Sequence, residues 1–186
     1  MLDKEKIVAN AKKYYETLKK HGIDNDQFIQ FLGTEFVSQS ASTQLDYHFC
    51  YEGGLINYLL TVTKYAIGIN DSLPENEQVN KESLIKVCLL HGIGKAHLYI
   101  PNESEWHREK QGKLYEFNEK VTSMRVGERS IYYLAKFNIK LNEDEHIAIL
   151  NADKITDRMS DYHNSMVGEL LKMGSILAIK HDKLKK

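Results

Sequence analysis

Apolar residues recur every three or four positions along most of this chain, the repeat of helices that bury one face. From Asp3 to Lys20, the residues Ile7, Val8, Ala11, Tyr14, Tyr15 and Leu18 alternate with lysines and other polar groups. That pattern predicts an amphipathic helix, ended by His21-Gly22. A short second helix is predicted from about Asp26, carrying Phe28, Ile29, Phe31 and Leu32. The stretch from Ser38 to Gly54, SQSASTQLDYHFCYEGG, breaks the period and closes on a glycine pair, as an ordered loop feeding a helix does. That helix is predicted over about Gly54 to Ile69. Ser72-Leu73-Pro74-Glu75 marks a turn, and Asn80 stands where an N-cap is needed. The next segment, Leu84 to Lys95, reads LIKVCLLHGIGK. It is apolar on every side, so it is predicted to be the central buried helix.

Periodicity then lapses from Lys95 to about Val121. Pro101, Trp106 and the alternating KLYEFN point to a loop and a small hairpin. Helices resume at Gly127, with Ile131, Tyr132, Leu134, Ala135 and Phe137 on one face. Asn142-Glu143-Asp144-Glu145 is a capping box for a helix carrying Ile147, Ile149 and Leu150. A last helix is predicted over about Tyr162 to Leu184, its basic end (Lys183, Lys185, Lys186) complementing the helix dipole. No repeat or linker divides the chain. The pattern predicts one all-α domain over residues 1–186, with an irregular or hairpin insertion around 96–121.

Composition narrows the function classes. Of 186 residues, 42% are hydrophobic, enough for one core. Twenty-five Lys and Arg against 26 Asp and Glu leave a net charge of -1, which gives no global attraction to a nucleic-acid polymer or an anionic membrane. A local basic pocket is still compatible with that balance. Cys50 and Cys88 lie in apolar surroundings without metal-ligand spacing, as reduced core thiols of a cytosolic protein do. The N-terminus is charged and amphipathic, unlike a signal peptide, and no run is long enough to span a bilayer. A cytoplasmic location is expected. Nothing points to an oligomeric state.

The candidate chemistry centres on HGIGK, His91 to Lys95. An apolar helix ending in a histidine resembles the signature of the HD-domain metal-dependent phosphohydrolases, H-D-x-x-K. The resemblance runs from about Ser40 to Asp182. ASTQLDYHFCYEGGLINYLL is similar to a pattern of bacterial and phage HD proteins, A-S-T-x-F-H-G-A-Y-E-G-G-L-x-E-H-S-L. KLYEFNEKVTSMRVGERSIYYLAKFNIKLNEDEHIAIL is similar to their stretch built on L-G-H-G-E-K-S-V-Y and A-I-R-W-H-M, in the same order and spacing. The resemblance implies an HD-domain-like helical bundle. It places the family's metal ligands on Tyr58, His91, Gly92, Val126 and Ala152, with a late helical aspartate at Asp182. His48 matches a family histidine outside that set.

Only His91 and Asp182 keep a ligating side chain at those positions. A divalent ion needs several His and carboxylate ligands converging on it. The expectation is therefore no metal, no other cofactor and no catalytic residue, because metal-activated water is the family's nucleophile. Glu52, Gly53, Gly54, Lys95, Gly127, Glu128 and Ser130 match family positions that are not ligands. The candidate ligand-binding residues are His48, Tyr51, Glu52, Tyr58, His91, Lys95, Arg125, Arg129 and Asp182: cations for phosphate and rings for stacking. Each has a plainer use, His91 as a hydrogen-bonded core histidine and Tyr58 as a filler of vacated space. Three readings stay open. The first is a catalytically inactive HD-domain protein that binds a small nucleotide-type ligand. By resemblance to phage-borne members, it would sequester a host defence signal in the host cytoplasm. The second is a protein-interaction or inhibitor scaffold, its contacts around Trp106 and Tyr115. The third is an active nucleotide phosphohydrolase with a rearranged site using His48, His91, Asp153 or Asp182.

Overall fold

A computed structural model describes residues 2–23, 25–153 and 165–184, and its architecture is all-α. Among the described residues eight helices run in order: α1 (Lys4–Lys20), α2 (Asp26–Ser38), α3 (Gly54–Ser72), α4 (Lys81–Leu90), α5 (Glu105–Gln111), α6 (Val126–Lys136), α7 (Glu143–Leu150) and α8 (Met166–Leu184). Between α4 and α6, β1 (Tyr99–Pro101) pairs antiparallel with β2 (Tyr115–Phe117), Ile100 opposite Glu116. The insertion is thus a two-stranded hairpin. Its connection contains α5, which the sequence pattern does not show.

The helix that organises the bundle is α3. It packs chiefly on α8 and α4, and also on α1 and α2. Its 19 residues bury Leu55, Ile56, Tyr58, Leu59, Val62 and Ala66. The apolar pattern points instead to the signature helix α4 as the centre. That helix has only 10 residues. Lys81 and Glu82 in its first turn are exposed, whereas Val87, Cys88, Leu89 and Leu90 at its other end are buried. A short helix with one polar end cannot be the hub, so the longer α3 takes that place. Each fully buried Leu or Ile contributes about 1.5–3 kcal/mol. The buried Tyr14 of α1 ties the layers by donating its hydroxyl to the Leu89 carbonyl at 3.0 Å.

The predicted caps form. Asn80 accepts from the N–H groups of Glu82 and Ser83, at 2.9 and 3.1 Å. Asn142 and Glu145 close a reciprocal capping box, at 2.8 and 3.0 Å. The predicted start of the last helix at Tyr162 lies outside the described residues, as does Lys185-Lys186; α8 is described from Met166. Cys50 and Cys88 are both buried and unbridged. Among the described residues no helix is long and apolar enough to cross a membrane.

Candidate functional site

Local structure at HGIGK sets the site. The α-helix stops at Leu90 with His91 as C-cap, and a 3-10 turn, Ile93–Lys95, follows. Lys95 therefore does not sit one α-turn beyond His91, as a continuous helix would place it. Gly94 makes the change of direction possible. A Cβ there would lie 2.1 Å from the Val126 carbonyl oxygen of α6, a backbone atom that cannot yield. Ser130 of α6 pins the turn, accepting from the Gly94 N–H at 2.9 Å and donating to the His91 carbonyl at 2.8 Å.

The turn faces a cavity of about 300 Å³ bounded by α3, the start of α6, the end of α7 and α8. His48, Tyr58, His91 and Lys95 line it, and so do Gly92, Val126 and Ala152. Five of the six positions carried over from the HD ligand set on sequence alone thus surround one space, and the sixth, Asp182, does not line it. Its walls are mostly apolar, with Tyr99, Ile176 and Ile179 contributing. The sequence reading does not single out Tyr99 or the α8 wall. Lys172, Ser175, Ile176 and Ile179 stand at i, i+3, i+4 and i+7, so helical spacing is the available signal for a shared face.

His91 is buried and neutral. Its Nδ1 lies 2.9 Å from the Cys88 carbonyl, which can only accept, so Nδ1 carries a proton. Nε2 faces the Tyr58 hydroxyl at 3.4 Å. Burial pushes the imidazole down to about 4; the Cys88 carbonyl works the other way, and the Lys95 charge lowers it further. Burial likewise pushes the Tyr58 hydroxyl up to about 12. The rings of His48 and Tyr58 meet in a tilted contact, 5.1 Å between centroids.

Lys95 and Lys172 are cations of the cavity wall; the first of them, Lys95, belongs to the signature turn. Its Nζ donates to the Ala41 carbonyl at 2.6 Å and lies 5.7 Å from the centroid of the Tyr58 ring. Burial lowers its ammonium to about 8, with Asp153 pulling the other way from the cavity wall. Among the described residues no carboxylate oxygen lies within 4 Å of it.

The other candidates sit elsewhere. Asp182 accepts the Phe49 N–H at 2.7 Å, holding a loop residue whose φ is +49°. Tyr51 accepts from the Asn57 side chain at 2.8 Å, close to Asp182. Glu52 is exposed and lines a separate groove with Glu35, His97 and Tyr115. Arg125 is the N-cap residue of α6, its backbone N–H bonded to Glu128 at 3.3 Å. Arg129 is 2% exposed and donates from Nη2 to the Thr122 carbonyl; its Nη1 has no acceptor among the described residues. The structure brings His48, Tyr58, His91 and Lys95 together and leaves Tyr51, Glu52, Arg125, Arg129 and Asp182 off the cavity wall.

Among the described residues no three His, Cys, Asp or Glu side chains converge as ligands. Tyr58, Gly92, Val126 and Ala152, to which the resemblance carries ligand positions, line the cavity.

Comparison with known proteins bears on one part of the chain. Over 67 residues it is 39% identical to the dihydroneopterin 2',3'-cyclic phosphate phosphodiesterase of Methanocaldococcus jannaschii, a phosphodiesterase of the HD family. The match covers 35% of this chain and spans only 27% of that relative's length. No family model and no solved structure matches the chain.

Proposed function

We propose that this protein binds a small phosphorylated heterocycle, of nucleotide or pterin type, in the cavity over His91 and does not hydrolyse it through a metal. The observation that carries this reading is the shared wall: Tyr58, His91, Gly92, Val126 and Ala152 line one space, with four of the five replaced by residues that cannot act as good ligands. The space persists at about 300 Å³ and is not filled by the replacements. Its walls suit a flat ring, with Tyr58, Tyr99 and His48 at hand, and Lys95 supplies charge for a phosphate. The named relative acts on a phosphorylated pterin, which supports the same ligand class.

Binding without turnover makes the protein a sequestering one, and a phage origin would make the ligand a host defence signal. The test is native mass spectrometry of the purified protein with linear, cyclic and ADP-ribose-type nucleotides and a pterin cyclic phosphate. The expected result is a one-to-one adduct whose ligand is released unchanged, with or without added Mn²⁺. Release of a hydrolysed ligand would replace this reading with a phosphohydrolase. The exposed Trp106 and Phe117 of the hairpin region favour a second reading, a protein-docking scaffold. A full nucleotide panel without an adduct, together with a partner lost on Trp106→Ala, would establish it.

A further inference from the structure

We propose that Lys95 forms an imine with a carbonyl ligand: the cavity is a covalent binding site for an aldehyde or ketone that carries an anionic group. This goes beyond reversible ligand binding but uses the same cavity.

The case begins with where the amine is. Lys95 projects from a turn pinned by Ser130 and Gly94, so its Cα is fixed by α6, and the residue lines a mostly apolar space. Its polar partner is the Ala41 carbonyl, at 2.6 Å. A carbonyl accepts from an amine and an ammonium alike. Losing the proton therefore does not cost Lys95 its anchor, and it frees a lone pair. A carboxylate partner would have held the proton on, and none lies within 4 Å among the described residues. Burial lowers the ammonium to about 8. At pH 7.5 roughly a quarter of such an amine is neutral, against about one part in a thousand for an ordinary lysine. Desolvated lysines of this kind are the ones that act as Schiff-base nucleophiles.

The neighbours complete the chemistry. Lys172 on the α8 wall of the same cavity gives a second cation for an anionic substituent. Tyr58, under the amine, offers a hydroxyl in contact with the neutral His91. In the reaction, the Lys95 lone pair attacks the carbonyl carbon and the carbon–oxygen π bond passes its electrons to oxygen. The resulting carbinolamine loses its hydroxyl as water, with proton transfer from the amine nitrogen, leaving a carbon–nitrogen double bond. No oxidant or reductant takes part.

The test is reductive trapping on the whole protein. Pyridoxal 5'-phosphate, an aldehyde bearing an anion, is added at pH 7.5 for a short time, borohydride fixes any imine, and peptide mapping counts label at each lysine. Label on Lys95 at least tenfold above the mean of the remaining lysines is expected, with an initial rate that climbs from pH 6.5 and levels off above pH 8. Label spread over surface lysines, with Lys95 no higher than the mean, would overturn the inference. The wild-type map decides the matter even if Lys95→Met fails to fold. A nucleotide that binds and protects Lys95 would place both ligands in one cavity. Trapping without nucleotide binding would remove the proposed function and leave the imine site standing.

Discussion

At the scale of single residues, the buried His91 and the half-buried Lys95 shape how stability depends on pH. Folding lowers the pKa of His91 from its ordinary 6.5 to about 4. Below pH 6.5 the unfolded chain takes up a proton that the folded one refuses, so stability falls as pH drops from 6.5 towards 4 and is undiminished above 6.5. The loss reaches about 2 kcal/mol at pH 5. Urea unfolding of wild type and His91→Gln at pH 7 and pH 5 should differ by that amount, with the variant falling less; equal falls would refute the burial of a neutral His91. Lys95 acts in the same direction at higher pH, since burial lowers its pKa as well. Burial desolvates its ammonium more than Asp153 offsets, a penalty that lasts below pH 8 and is relieved above it. Lys95→Met should therefore be about 1 kcal/mol more stable at pH 7, after allowing for the lost bond to Ala41. That gain should shrink by pH 10, as thermal melts at the two pH values would show.

At the scale of elements, glycines at two neighbouring positions do different work. Gly94 admits the Val126 carbonyl at a distance where any Cβ would collide with backbone. Gly92, with φ of -99°, needs no glycine; a Cβ there meets side-chain ends alone, Leu59 at 2.9 Å and Leu55 at 3.5 Å. Gly94→Ala should cost about 3 kcal/mol or prevent folding, while Gly92→Ala should cost under about 1 kcal/mol. Comparable melting temperatures for the two variants would contradict this packing. The contrast also marks what the sequence made legible. Caps at Asn80 and Asn142 follow from local hydrogen-bond chemistry, so they and the helix starts were readable. The stop of α4 at Leu90 was not, because it depends on α6 lying against Gly94, a contact between segments far apart in the chain. The hairpin was readable from KLYEFN, whereas α5 has no buried residue and so leaves no apolar period. Within the site, Tyr58, His91 and Lys95 came from motif spacing. Asp182 drew notice as a ligand, yet its partner is the Phe49 N–H, a pairing of α8 with a loop that only the folded chain reveals.

At the scale of the whole molecule, the near-neutral net charge leaves ligand recognition to the cavity's own cations. Lys95 then ties binding to pH. An anionic ligand prefers the ammonium, so above pH 8 each binding event must take up a proton at Lys95. The dissociation constant should be flat between pH 6 and 7.5 and then rise by up to about tenfold per pH unit. His91 adds no slope in this range, because it is neutral at every pH well above 4. Imine formation runs in the reverse sense, since it needs the free amine that alkaline conditions supply. Isothermal titration of the best nucleotide or pterin phosphate at pH 7, 8 and 9, on wild type and Lys95→Arg, separates these terms. Wild type should weaken with pH, and the arginine variant, which cannot lose its proton, should not. Affinity in wild type that is independent of pH would mean that the phosphate does not reach Lys95, and that the cavity holds its ligand by ring contacts alone.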